Sequence, residues 1–325
     1  MTALRIELTG DKSNNSVSLS VKNFDFGVNG FELALSGIQA TGPIGIFNLP
    51  SAGWFSTSGF ESQSLKVAAL DFTLTGAPVP ASGLILGQII VSGWNTFAPV
   101  KLDYLTLIAN DKSNTKSTTL NPNLNYDVNI TGNLGFKLLD TEGSNNYYGG
   151  TGTDTVIFNG KKTAYSINSI SSMTFKVIKS GVTDVLKDID RLSFSDVSTA
   201  YDLNSNAGIA AKIIGSVFGK VSLANKNYVG IGVYFLDAGL SYENLASLAL
   251  QSAGALTNDQ IVTLLWNNVL GTKPTDINKA PYLNLLNNGM TPGQLVQLAA
   301  DSTYNIANID LVGLSQSGID YIPVT

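Results

Sequence analysis

The sequence predicts a multidomain β + α protein. An N-terminal β-sandwich is expected over 1–109, then a linker or surface loop over 110–127. A short β-roll and β-rich segment is expected over 128–200, and an all-α domain over 201–325. Three observations carry this. Apolar residues alternate with period two through the first hundred positions. A glycine-rich nonapeptide, Gly149-Gly-Thr-Gly-Thr-Asp-Thr-Val-Ile157, interrupts the middle. After Asn206 the apolar period changes to 3.6.

In the first segment, apolar alternation recurs at Leu4–Leu8, Val17–Val21, Phe31–Leu35, Leu65–Leu74, Leu84–Val91 and Tyr104–Ile108. Asn29-Gly30, Gly42-Pro43 and Pro78-Val79-Pro80 punctuate it as turns. Many short strands at this density argue a sandwich. With the run Val21–Phe26, the pattern is similar to cohesin-like or carbohydrate-binding-module sandwiches. Trp54 and Trp94, with Phe55, Phe60 and Phe97, are its candidate sugar-stacking platform. The alternative places them as plugs at the ends of the sandwich core. Asn110–Asn125 is polar, rich in Asn, Lys, Ser and Thr, and reads as a linker or long loop.

The nonapeptide fits the Gly-Gly-x-Gly-x-Asp-x-U-x unit of a calcium-binding parallel β-roll, in which U is a large apolar residue. Glycines at places one, two and four let backbone carbonyls converge on an ion, and Asp154 adds a hard anionic oxygen. The preceding unit, Asp140–Tyr148, keeps Gly143, Asn145 and Tyr147 at places four, six and eight. One step further back, Thr131–Leu139 keeps only Leu138, with Phe136 in the Asp place. The candidate Ca²⁺ ligands are therefore Gly149, Thr151, Thr153 and Asp154, joined by Asn145, Asp140 and Glu142. Downstream, Asp188–Asp196 resembles the "ERLxFSD" stretch common after calcium repeats in secreted bacterial proteins. Turn capping is the expected role of Asp188, Asp190 and Asp196 there.

In the last segment, Ile209, Ile213, Ile214, Val217 and Phe218 mark a helix stopped by Gly219. Helices are expected at Tyr242–Ala253 behind Ser241, and at Asp259–Leu270 behind Thr257 or Asn258. Another is expected at Ala280–Asn288, and Thr291-Pro292 opens a further one. Trp266 lies beside Leu264 and Leu265, where core packing is expected. The stretches Tyr228–Glu243, Leu264–Pro274 and Leu285–Thr291 resemble the DUF4214-like helical domain that follows RTX repeats. Leu311–Tyr321 looks like the tail of an RTX-type secretion substrate. Thr272-Lys273-Pro274-Thr275 departs from the more usual Arg-x-Pro-Asp. The resemblance covers roughly 131–325 and implies export by a type I secretion apparatus to the extracellular space or cell surface.

Composition narrows the function. Hydrophobic residues make up 44% and charged residues only 13%, with a net charge of −5, so the chain folds behind an unusually uncharged surface. Nucleic-acid binding needs a basic footprint, and no Lys/Arg cluster supplies one. Without cysteine there are no disulfides, thiolate metal sites or cysteine nucleophiles. Without histidine there is no Ser-His-Asp arrangement and no usual general base. The carboxylate pairs Asp140/Glu142 and Asp188/Asp190 sit in repeat or capping contexts that do not suit glycoside hydrolysis. Met1–Thr9 lacks the basic start and apolar core of a signal peptide, so an export signal is expected elsewhere. No run of about 18 apolar residues predicts a membrane span. The expected function is therefore not enzymatic. It is a calcium-dependent, self-assembling surface-layer, filament or biofilm-matrix subunit, with an adhesin or cell-surface glycan-binding module as the alternative.

Overall fold

In a computed structural model of the chain, the structure describes residues 4–22, 27–36, 44–50, 54–61, 64–71, 84–91, 100–110, 116–119, 126–140, 143–254 and 256–324. The chain forms two compact units, Met1–Ser195 and Asp196–Thr325.

The first unit is all-β. Its strands begin with β1 (Leu4–Asp11), β2 (Ser16–Lys22), β3 (Gly27–Ser36), β4 (Ile44–Phe47), β5 (Trp54–Glu61) and β6 (Ser64–Asp71). Next come β7 (Leu84–Val91), β8 (Val100–Asn110), β9 (Lys116–Thr119), β10 (Tyr126–Gly132), β11 (Phe136–Leu139) and β12 (Asn146–Tyr148). The series closes with β13 (Thr155–Ile157), β14 (Ser166–Ser171), β15 (Thr174–Lys179), β16 (Val182–Lys187) and β17 (Arg191–Ser193). One sheet runs β14-β15-β16-β12-β10-β1-β2-β7-β4, and the other, within this unit, runs β17-β13-β11-β8-β3-β6-β5. The alternation read from the sequence turns Ile6, Leu8, Val17, Leu19 and Val21 inward from one sheet. Phe31, Leu33, Leu35, Leu65 and Val67 face inward from the other.

The roll does not stand apart from the sandwich. β10 pairs parallel with β1, and β11 pairs parallel with β8, so both sheets continue across the join. Each coil then lays one strand on each sheet. β12 and β13 follow β10 and β11, and β16 and β17 follow them in turn, all in parallel. Inward ladders run Val128, Tyr147, Leu186 on one side and Leu138, Val156, Leu192 on the other, all essentially fully buried. The boundaries expected at 109 and 127 therefore fall inside one unit. Within the expected linker, Lys116–Thr119 is a strand hydrogen-bonded to β8. The antiparallel pair β14–β15 is an insertion in the third coil.

The second unit holds eight helices among its described residues: α1 (Asn206–Phe218), α2 (Lys226–Asp237), α3 (Tyr242–Ala253), α4 (Asn258–Leu270), α5 (Asp276–Asn287), α6 (Pro292–Ala300), α7 (Thr303–Asn308) and α8 (Leu311–Ser317). A short antiparallel pair, β18 (Ser198–Ala200) with β19 (Ile319–Tyr321), ties its two ends together. Five of the helix starts obey one rule. Ser241, Thr257, Thr275, Thr291 and Ser302 each cap a helix by accepting the N–H three residues on. That third residue is always a neutral amide (Asn244, Gln260, Asn278, Gln294 or Asn305), and in α4, α5 and α6 its side chain closes a capping box. The expected helix at Ala280 starts four residues earlier, behind Thr275. Trp266 is half-buried edge-on to Tyr282, with its Nε1–H donated to Thr272. No described helix is long and apolar enough to cross a membrane.

Because the roll and sandwich share both sheets, Leu138→Ala should destabilise the whole first unit by about 2–5 kcal/mol. Calorimetry is expected to show one β-unit transition moving down, with the helical transition unmoved. A separate roll transition detaching from the sandwich would contradict the shared-sheet account.

Candidate functional site

The six described residues among the seven expected calcium ligands fall at two different turns. Residues 140–145 cross from β11 to β12, and residues 149–154 cross back from β12 to β13. Strands within each sheet of the roll run parallel, so these crossings lie at opposite edges. The set Gly149, Thr151, Thr153 and Asp154 is thus separated from Asp140 and Asn145, and Glu142 lies outside the described residues. The nine-residue step that suggested one site is half a coil. Ligands for one ion would have to stack 18 residues apart.

Along the 149–154 edge the turns touch through their backbones. The Gly132 carbonyl accepts both the Thr151 N–H (2.9 Å) and the Thr151 hydroxyl (2.8 Å). Gly149 donates to the Lys187 carbonyl at 2.9 Å, and a Cβ on Gly149 would collide with the Asp188 carbonyl. This close stacking explains the glycine at position 149.

Asp154 is completely buried. Its carboxylate accepts the Phe136 N–H at 2.9 Å from the coil before and the Gly150 N–H at 2.7 Å from its own turn. Its own N–H is donated to the Asp190 carboxylate at 2.8 Å in the coil after. At the other edge the buried Asn145 donates its N–H to Asp184 at 2.9 Å. Phe136, Asn145 and Asp154 all occupy the sixth place of their units. The rule is that each sixth-place N–H is received by a carboxylate one coil later. Asp140 accepts the Tyr147 hydroxyl at 3.0 Å.

A calcium cage needs six to eight oxygens converging on one point. Among the described residues no group of three acidic side chains converges, and both Asp154 oxygens already hold backbone N–H groups. Of the expected set, Gly149, Thr151, Thr153 and Asp154 share one turn and Asp140 and Asn145 flank the other, with Glu142 outside the described residues. Asp188 and Asp190 sit at turns, as expected. Asp188 has a left-handed backbone, φ 56°, and Asp190 receives the Asp154 N–H from the coil before.

Sequence reading missed Asp184 and Asp190 as members of the ladder. The β14–β15 insertion separates both from the preceding coil and shifts Asp184 out of the nine-residue frame. The signal was nonetheless present: Asp154-Thr-Val-Ile, Asp184-Val-Leu-Lys and Asp190-Arg-Leu-Ser share one Asp-x-apolar-x tetrad.

Trp54 does not serve a sugar platform. It is 5% exposed and packs against Phe31, ring centroids 6.4 Å apart, because its strand position points into the sandwich. Trp94 and Phe97 lie outside the described residues.

Comparison with known proteins shows likeness in structure only. No protein-family model and no curated protein matches the chain. Solved structures similar to part of it are cohesin modules. One is a non-cellulosomal cohesin from Archaeoglobus fulgidus (15% identity, 40% of this chain and 87% of that one, TM-score 0.25). Another is in a type I cohesin–dockerin complex from Clostridium thermocellum (15%, 40% and 99%, TM-score 0.26). A third is the cohesin module of a family 33 glycoside hydrolase from Clostridium perfringens (16%, 39% and 96%, TM-score 0.24).

Burial is the main cause that raises the Asp154 carboxyl to about 7, against the opposing pull of its two N–H donors. Burial likewise raises Asp184 to about 6. The folded unit therefore binds more protons than the unfolded chain between the ordinary carboxylate range and pH 7. Its stability falls as pH rises through 6 and 7. Thermal melts should show the β-unit more stable at pH 5.5 than at pH 8, with Asp154→Asn flattening the difference. A rising or level profile in the wild type contradicts the assignment. Asp154→Ala should leave two N–H groups unpaired at about 1–3 kcal/mol each, lowering the β-unit melting temperature by roughly 5–15 °C. A melting temperature unchanged by Asp154→Ala would remove the clamp from the account.

Proposed function

We propose that the chain is an extracellular structural subunit that assembles with copies of itself, as in a surface layer, filament or biofilm matrix. The observation that carries this reading is the free end of the nine-stranded sheet. β14, Ser166-Ile-Asn-Ser-Ile-Ser171, ends that sheet with most of its side chains exposed and no charge along it. Proteins ordinarily blunt such an edge with lysine, proline, a bulge or a covering loop. Here the one such device on the strand is a register shift between Ser169 and Ser171. That leaves Ser166–Ser169 in regular pairing with β15 and, among the described residues, with no strand on its other side.

The composition supports the same reading. A chain without histidine or cysteine has few of the usual catalytic groups, and 13% charged residues leave little repulsion between copies. The carboxylate ladder gives the body its own inter-coil ties, so the reading does not rest on a bound ion.

Negative-stain microscopy of concentrated full chain should show ordered assemblies. Ile170→Lys, placed at a half-exposed position of β14 (55% exposed), should disperse them without changing the melting temperature. Assemblies that survive this charge would move the contact off β14. A monodisperse monomer in the wild type would overturn the reading.

A further inference from the structure

The helical unit contains its own duplicate. Helices α1, α2 and α3 correspond to α4, α5 and α6. α1 and α4 are each 13 residues, α2 and α5 each 12, and the α2 and α5 ranges differ by fifty throughout. The turns match atom for atom. Gly239 and Gly289 have φ 89° and 99°. Leu240 N–H reaches the Phe235 carbonyl as Met290 N–H reaches that of Leu285. Both turns lead into Ser241 and Thr291 as helix caps. Buried positions correspond as well: Leu236 with Leu286, Leu245 with Leu295, Ala246 with Val296.

The duplicate separates what the fold requires from what it does not. On the outer face of α2, Tyr228, Ile231 and Tyr234 are 45%, 45% and 48% exposed. Fifty residues on, the same places hold Asn278, Pro281 and Asn284. At these three places the helix hairpin therefore folds without an aromatic or branched aliphatic side chain, and the stripe on α2 is extra.

Its spacing identifies the occupant. Tyr-x-x-Ile-x-x-Tyr reads the same in both directions about Ile231. Two antiparallel α2 helices related by a two-fold axis would set Ile231 against Ile231 and Tyr228 against Tyr234 twice. Beside the stripe, Phe218, Tyr228, Ile231 and Leu248 line an apolar depression between α1, α2 and α3. It sits at the Tyr228 end, where the other copy's Tyr234 would arrive. We propose that α2 is an isologous dimer surface whose partner is the α2 of a second copy of this chain. It shares with the proposed function only the partner, because the sheet edge at β14 is a different surface.

A single-helix contact belongs to the small interface class, so a dissociation constant in the range of roughly 1–100 μM is expected. The full-length chain carrying Ile170→Lys removes sheet-edge contacts from the measurement. Sedimentation of that protein should show a monomer–dimer equilibrium. Tyr228→Asn with Tyr234→Asn, residues borrowed from α5, should weaken it at least tenfold with helical circular dichroism unchanged. The chain has no cysteine, so Ile231→Cys provides a second arm. It should cross-link copies on mild oxidation, while Val221→Cys, 78% exposed and off the stripe, should not. A monomer throughout, a dimer indifferent to the double substitution, or equal cross-linking at both cysteines overturns the proposal. If α2 dimerises and assemblies never form, the β14 reading fails alone.

Discussion

Everything in the first unit depends on parallel pairing of the first roll coil with the sandwich. β1 pairs antiparallel with β2 on one side and parallel with β10 on the other, in register from Leu4 against Tyr126 to Gly10 against Gly132. β8 plays the same part for β11. A sandwich alone would leave both strands as open edges. A three-coil roll alone would bury too little apolar surface to stand. Joined, each supplies the edge that the other lacks. The winding also fixes polarity, since a coil that lays one strand on each sheet needs host strands running in opposite directions.

Tight coils create a hydrogen-bonding problem at their turns. Where Gly149 to Asp154 leaves one sheet and enters the other, ladder partners run out, yet the turns are stacked too closely for water to serve them. A carboxylate resolves this because one side chain can accept two N–H groups in different coils. The cost is desolvation, which is why Asp154 and Asp184 hold their protons to higher pH. The helical unit meets the same need differently. At five of its helices the orphan N–H groups are taken by Ser and Thr hydroxyls, with Asn225 capping α2 and Asp310 capping α8, and its capping-box returns come from Asn and Gln rather than Glu. The first unit thus ties its turns with buried carboxylates, and the second mainly with neutral hydroxyls and amides.

This division explains what could be read from the sequence. Strand alternation at Ile6, Leu8, Val17 and Leu19 is a local pattern and was legible, as were α1, α3 and α4 with their caps. The merger of roll and sandwich was not, because Ile6 against Val128 is a contact across more than a hundred residues with no local signature. The nonapeptide showed where a turn lies but not that consecutive units face opposite edges. That geometry sets Asn145 and Asp154 apart. α2 escaped the periodicity because its inner face is made partly of glycine. A side chain at Gly230 would collide with the Ile322 carbonyl, so the position that should read as apolar reads as nothing.

The scarcity of charge bears on how the chain discriminates between partners. A surface rich in lysine and glutamate rejects wrong partners by repulsion, whereas this one carries 19 basic and 24 acidic residues over 325 positions. Several are engaged in ion pairs, such as Lys22 with Glu7 at 2.8 Å and Lys226 with Asp320 at 3.1 Å. Discrimination must then come from shape and register. The register shift between Ser169 and Ser171 shortens the length over which a foreign strand can pair with β14. On α2, one apolar stripe is matched by its own reverse, while α5 carries Asn278, Pro281 and Asn284 at the corresponding places and does not repeat the stripe. Contacts selected in this way depend little on screening, because few charges cross them. Salt should consequently change their strength far less than a one-residue change in register does.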